Sequence, residues 1–104
     1  MQDFTASELN TYLQNNQPLL LDVREQWEWD NCHIEGARLL PMGQIAANIG
    51  SLDKEQEIVI ICHHGIRSMQ VAHYFDSIGF KSVINLRGGI DAWARQVDIS
   101  IATY

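Results

Sequence analysis

The stretch Ile58-Val59-Ile60-Ile61-Cys62-His63-His64-Gly65-Ile66-Arg67-Ser68-Met69 decides how this chain is read. Its first four residues are apolar and β-branched, and the run Glu57–Ile61 reads as a buried central strand. Gly65 allows a tight turn. Beyond it Val71, Ala72, Phe75 and Ile78 form an apolar stripe at helical spacing, and Gly79 is placed to stop the helix. Cys62 therefore stands where a strand gives way to a helix. A thiol there faces unpaired backbone N–H groups and the positive end of a helix dipole. Both favour thiolate over thiol, and the N–H groups form an anion site. Arg67 lies in the first helical turn, where a cation is opposed by the dipole at a cost of some tenths of a kcal/mol. Anion binding is a reason for it to be there. A cysteine in an apolar run is by default a small buried hydrophobe. The order strand, Cys, x, x, Gly, x, Arg, Ser, helix points instead to a nucleophile.

Working outward, helix and strand signals alternate. Thr5-Ala6-Ser7-Glu8 is a capping box, and Leu9, Tyr12 and Leu13 continue it as a helix over about residues 6–15. Leu19–Val23 follows Pro18 as a short buried strand. Arg24–Asp30 is a loop or a short helix. Ala37–Leu40 predicts a strand stopped by Pro41, and Ile45–Ile49 a short helix ended by Gly50. After the central helix come a strand over Ser82–Leu86, a Gly88-Gly89 turn and a last helix from Ile90 to Arg95. The tail from Gln96 to Tyr104 has no clear period. This order predicts a single α/β domain over residues 1–104, with a central parallel sheet and helices on both faces. Ligands of such sheets sit at the carboxyl ends of strands, which singles out the loops after Val23 and Ile61.

Composition narrows the function classes. With 104 residues the chain holds one domain. Apolar residues make up 46% and charged residues 19%, an ordinary globular balance. The formal net charge of −6 argues against nucleic acid and against an anionic membrane surface as partners. No apolar run is long enough to span a membrane, and Met1-Gln2-Asp3-Phe4 has no signal-peptide character. Two cysteines, Cys32 and Cys62, make no disulfide framework, which fits a reducing cytoplasm. Cys32-His33 and Cys62-His63-His64 lack the two-to-four-residue spacing of structural zinc ligands, so no metal and no cofactor is expected. Nothing resembles a coiled coil, and a monomer or weak dimer is expected.

Four motifs in order make the chain similar to the single-domain rhodaneses, a family of sulfurtransferases. They are Leu21-Asp22-Val23-Arg24-Glu25, Cys32-His33-Ile34-Glu35-Gly36-Ala37, the Cys62–Ser68 loop, and Asn85-Leu86 followed by Gly88-Gly89-Ile90 and Ala92-Trp93. Glu35 stands where the family usually has proline. The resemblance implies that Cys62 attacks the outer sulfur of a donor such as thiosulfate, becomes a persulfide and passes the sulfur to cyanide or a thiol. It implies an N–H cradle from His63, His64, Gly65, Ile66 and Arg67, closed by Ser68. Four residues separate Cys62 from Arg67, whereas the related phosphatases have five, and the shorter loop favours sulfur over phosphate.

Other residues carry paired readings. Asp22 and Arg24 either touch substrate or form a buried ion pair that fixes neighbouring loops, the second being favoured. His63 and His64 read as pocket walls that tune charge, with at most one of them pointing inward. His33 reads as a structural hydrogen-bonding residue at the start of a strand, and Cys32 as a packed or half-exposed thiol. Trp27 and Trp29 read as packing residues, one of which can face solvent beside the pocket. The partners expected are a small sulfur-containing anion or a persulfide as donor, and a thiol, free or on a protein, as acceptor. An alternative class is a sulfur-carrier or protein-interaction module with little small-molecule turnover.

Overall fold

The computed structural model describes all residues 1–104. Strands β1 (Gln2–Phe4), β2 (Leu19–Asp22), β3 (Arg38–Leu39), β4 (Ile58–Ile61) and β5 (Val83–Leu86) form one sheet in the order β1-β5-β4-β2-β3. Every pairing is parallel. The helices are α1 (Ala6–Tyr12), α2 (Gln26–Asn31), α3 (Ile45–Asn48), α4 (Ile66–Ser77) and α5 (Gly89–Gln96). Single 3-10 turns at Met42–Gln44 and Ile49–Ser51 flank α3.

Alternation along each strand feeds two cores, because successive side chains leave a strand on opposite faces. Ile58 and Ile60 join Leu21 and Val23 on one face, packed against Val71, Ala72 and Phe75 of α4. Val59 and Ile61 join Leu20, Ile84 and Leu86 on the other, packed against Leu9 of α1 and Ile90 and Trp93 of α5. All four residues of β4 are buried. That is why the strand reads as an unbroken apolar run rather than an alternating one.

The chain passes from β2 outward to β3, returns to β4, and leaves in the opposite direction for β5. Between β2 and β4 the direction of winding reverses. In open parallel sheets a crevice opens there, beyond the strand carboxyl ends. The turns after Asp22 and Ile61 both face it.

Several expectations need correction. The first strand, β1, is absent from the reading of the sequence. It pairs with β5 at the sheet edge, and its polar residues Gln2 and Asp3 give no apolar signal. Helix α1 ends at Tyr12 rather than near residue 15. Of the two readings of Arg24–Asp30, the short helix is the one found, as α2 over Gln26–Asn31, its first turn closed by Glu28 Oε1 accepting the Glu25 N–H at 3.0 Å. Gly50 lies inside a 3-10 turn and does not end a helix. The strand at Ala37–Leu40 shrinks to two residues.

Candidate active site

Cys62 follows β4 directly and is 1% exposed. Its Sγ accepts the Gly65 N–H at 3.1 Å and lies 3.2 Å from Ser68 Oγ. Gly65 has φ +97°, and a Cβ there would come within 3.0 Å of the Gly88 nitrogen. Only glycine suits both the left-handed backbone and the close approach. The N–H groups of His63, His64, Ile66 and Arg67 meet no acceptor within the protein. They are the loop's unpaired donors, at the N-terminal end of the twelve-residue α4.

A hydrogen-bond chain runs away from the sulfur. Ser68 Oγ donates to Asn85 Oδ1 at 2.6 Å, and Asn85 Nδ2 donates to Asp3 Oδ1 at 2.9 Å. Arg87 Nε donates to Asp3 Oδ2 at 2.9 Å. The direction follows from the ends, since a carboxylate only accepts. Asn85 must therefore give its N–H to Asp3 and its oxygen to Ser68. The single Ser68 proton goes to Asn85, and the Cys62 S–H donates to a Ser68 lone pair. Once the thiol is ionised, the Ser68 hydroxyl must turn its proton to the sulfur to remain useful to it. Asp3 reaches this chain because the β1–β5 register sets it opposite Asn85.

The second polar network flanks the loop. Arg24, with no exposed surface, binds Asp22 through Nε at 2.9 Å and Nη2 at 2.7 Å. It also donates to the Cys32 carbonyl at 2.7 Å and to the Tyr104 hydroxyl at 2.8 Å. Burial opposes the guanidinium charge, but the hydrogen bonds that Arg24 donates to Asp22 and Tyr104 outweigh it and hold Arg24 protonated. Asp22 and Arg24 thus form a buried ion pair, and Arg24 ties α2 to the tail.

Arg67 grips Glu28 with two bonds, Nη1 to Oε1 at 2.7 Å and Nη2 to Oε2 at 2.8 Å. Glu28 also accepts the Tyr104 O–H at 2.7 Å. The Arg67 hydrogen bonds lower the Glu28 carboxyl to about 2 against the opposing effect of burial. Tyr104 is pushed up to about 12, first by burial and then by its bond to Glu28. The expected anion-binding cation therefore spends its charge on an internal carboxylate in this structure. The reason is a residue 39 positions away, invisible to a reading of the loop alone.

The histidine rings lie 3.8 Å apart at 30°, with His63 half-buried and His64 exposed. His63 is also stacked on Tyr104 at 3.8 Å and 4°, and its Nε2 bonds the Tyr104 carbonyl at 2.8 Å. Burial, and next the neighbouring His64, lower the His63 pKa below its ordinary value. His33 is structural but follows α2 rather than opening a strand. Its Nδ1 bonds the Trp29 carbonyl at 2.8 Å, and its ring stacks on Trp29. Trp27 is 63% exposed and meets Tyr104 edge-on, while Ile66 on the loop is 72% exposed. Cys32 is half-buried. Glu28, Asn85, Asp3 and Tyr104 complete the site; of these only Asn85 was quoted from the sequence, as part of a motif and with no role given to it. The one local signal was an acid, Glu28, flanked by Trp27 and Trp29.

A model of the rhodanese-like domain matches residues 5–96. The chain belongs to the rhodanese-like domain family. It is 38% identical over 94 residues to the putative sulfurtransferase YtwF of Bacillus subtilis, covering 89% of this chain and 90% of that one. It is 36% identical over 103 residues to the probable adenylyltransferase/sulfurtransferase MoeZ of Mycobacterium tuberculosis, covering 96% of this chain. The match spans only 26% of the length of MoeZ. Among solved structures, a rhodanese-like domain protein from Staphylococcus aureus superposes with a TM-score of 0.84 at 31% identity, covering 100% of this chain and 99% of that one. Both of these curated relatives are named as sulfurtransferases. No helix of this rhodanese-like domain is long and apolar enough to cross a membrane.

Proposed function

We propose that this rhodanese-like domain moves sulfane sulfur through a persulfide on Cys62. The observation that carries the reading is the Cys62 Sγ at the end of the central strand, accepting the Gly65 N–H at 3.1 Å in a loop whose His63, His64, Ile66 and Arg67 N–H groups have no internal acceptor. The thiolate attacks the outer sulfur of the donor. The donor's S–S bond breaks, its inner sulfur leaves with the electron pair, and Cys62 becomes a persulfide anion. An acceptor thiolate then attacks the outer sulfur of that persulfide, and the Cys62 thiolate leaves with its electrons. Both resting states are anions, so the same N–H groups and a reoriented Ser68 hydroxyl stabilise both. Neither step needs a strong base, consistent with a His63 whose proton affinity is lowered.

Thiosulfate, cyanide and thiols all fit the chemistry. The charges favour a donor and an acceptor carrying little net charge at the reacting end. Arg24 and Arg67 are each paired with a carboxylate, and the chain as a whole carries −6. Thiosulfate, a dianion, gains little from them and is opposed by long-range repulsion. Its affinity should be weak and should improve with added salt, because salt screens the repulsion. Worse affinity with salt would count against this account.

The test is intact-mass spectrometry of the reduced chain after treatment with a sulfane-sulfur donor. One added sulfur, about 32 Da, is expected on Cys62 and is required by covalent catalysis. A chain that gains no sulfur from thiosulfate or from a persulfide sinks the proposal. A second reading, a sulfur carrier serving a protein, is favoured by the exposed Trp27 and Ile66 beside the loop. It predicts poor turnover with thiosulfate and cyanide but fast exchange with a protein thiol.

A further inference from the structure

Outside the sulfur cradle, one group of side chains has the make-up of a metal site. His63, His64 and Asp91 each offer a ligand atom, and these atoms all lie within 4.8 Å of one another. The histidines come from the Cys62 loop and Asp91 from the first turn of α5, so no local spacing in the sequence marks the group. Backbone hydrogen bonds hold the two segments together. The Ile90 N–H donates to the Cys62 carbonyl at 2.9 Å, and the Asp91 N–H to the His63 carbonyl at 3.1 Å. A Cβ on Gly89 would land on the His63 carbonyl, so only glycine lets α5 approach this closely. The meeting of Asp91 with the histidines is thus set by the backbone.

The donors are also oriented. A carbonyl only accepts, so His63 Nε2 carries the proton in its bond to Tyr104, and Nδ1 holds the lone pair. Metal-bound imidazoles are commonly fixed in this way, through the other ring nitrogen. The stacked Tyr104 ring holds the plane of His63. Asp91 gives Oδ2 to Arg95 Nε at 3.1 Å and keeps Oδ1 for another partner. Two imidazole nitrogens and one carboxylate oxygen suit a zinc-class ion rather than calcium or magnesium. Bonds of about 2.0–2.2 Å around a tetrahedral ion put the donors about 3.3–3.6 Å apart. The group must contract modestly, and the exposed His64 ring has solvent to turn through.

We propose that His63, His64 and Asp91 form a three-ligand site for a zinc-class divalent ion at the mouth of the Cys62 loop. Three protein ligands leave a tetrahedral ion one open position. His63 adjoins Cys62 in the chain, and sulfur is a good zinc ligand. Bound zinc should therefore slow sulfur transfer by competing with the donor for the loop. That consequence rests on the sulfurtransferase reading, whereas the binding itself does not.

The experiment is calorimetric titration of the reduced full chain with zinc chloride. One ion per chain is expected. Affinity should fall by about tenfold or more in Asp91→Ala and separately in His64→Ala, and should persist in Cys62→Ser. No saturable binding overturns the proposal. So does binding unchanged by both ligand substitutions, or binding lost only in Cys62→Ser, which would assign the ion to the thiolate. His64 is exposed, so His64→Ala keeps the test decisive even if Asp91→Ala fails to fold. Zinc binding that depends on these residues in a chain that transfers no sulfur would keep the metal site and reject the sulfurtransferase reading.

Discussion

The turns after β2 and β4 lie side by side at the carboxyl edge of the sheet, and they treat polar groups in opposite ways. After β2, every strong donor and acceptor is spent internally. Arg24 and Asp22 are fully buried and neutralise each other, and the remaining guanidinium hydrogens go to carbonyls and to Tyr104. After β4, one thiol takes the Gly65 N–H, and the N–H groups of His63, His64, Ile66 and Arg67 have no internal acceptor. The first turn is finished as a structure and the second is left open to chemistry. Their adjacency explains why a closed ion pair belongs there: it stiffens the wall against which the open loop is held.

The sharpest break of this contrast is Cys62→Ser. It removes the nucleophile but keeps the size of the side chain and its place beside Ser68. Sulfur transfer should drop on the order of 10³-fold or more, to background, since a nucleophile acts as a unit with its surroundings. The melting temperature should move by only a few degrees, about 1 kcal/mol at this chain length. Retained transfer would place the chemistry elsewhere.

The β2 turn should fail in the opposite sense. Arg24→Ala leaves the Asp22 carboxylate buried without its cation. Removing one partner of a buried pair costs about 3–5 kcal/mol, a large part of the stability of a domain this small. Chemical denaturation should show that loss, or no folded protein at all. A change below about 1 kcal/mol would mean that water reaches Asp22 and that the pair is not the closed unit described here.

How much of this was legible in the sequence also divides along the two turns. The Cys62 loop was readable because strand, cysteine, glycine and helix are contiguous, and the physics that couples them is local. Asp22 and Arg24 are two residues apart and were readable as a pair for the same reason. The pairing of Arg67 was not legible because its partner, Glu28, sits on another helix, and Tyr104 lies 76 residues beyond Glu28 in a tail without periodicity. Asp3 and Asn85 meet only through the register of β1 on β5, and β1 itself carried no apolar pattern. Periodicity reports which face of an element is buried. It does not report which elements are brought together at the end of a sheet.

Arg67 offers an intermediate case that sharpens the comparison. Its side chain is 35% exposed, while its partner Glu28 is 4% exposed. Arg67→Ala should cost about 1–2 kcal/mol, less than Arg24→Ala because solvent screens the arginine. Glu28 keeps its bonds from Tyr104 and from the Glu25 N–H. If Arg67 positions the loop rather than gripping the donor, transfer should fall mainly through kcat, with the apparent KM for thiosulfate changing less than threefold, under about 0.7 kcal/mol of binding. A large rise in KM alone would return Arg67 to the role of anion contact.

The smallest effect is in the pH dependence of stability. The Glu28 carboxyl stands at about 2 in the folded chain, below its ordinary value of 4.5, chiefly because Arg67 donates to it. A carboxyl lowered by folding binds its proton more readily in the unfolded chain. Its contribution is therefore fully present above about pH 4.5 and is lost as pH falls through that value toward 2. Denaturation midpoints measured from pH 6 downward should fall through this window in the wild type. In Glu28→Gln the starting stability should be lower, because Arg67 loses its counter-charge, and the fall over the same window should be shallower. The buried Asp22–Arg24 pair is untouched by that substitution, so whatever slope remains belongs to the other acids. A slope identical in both proteins would show that the Glu28 carboxyl titrates alike in the folded and unfolded chain, and so that Arg67 does not hold it.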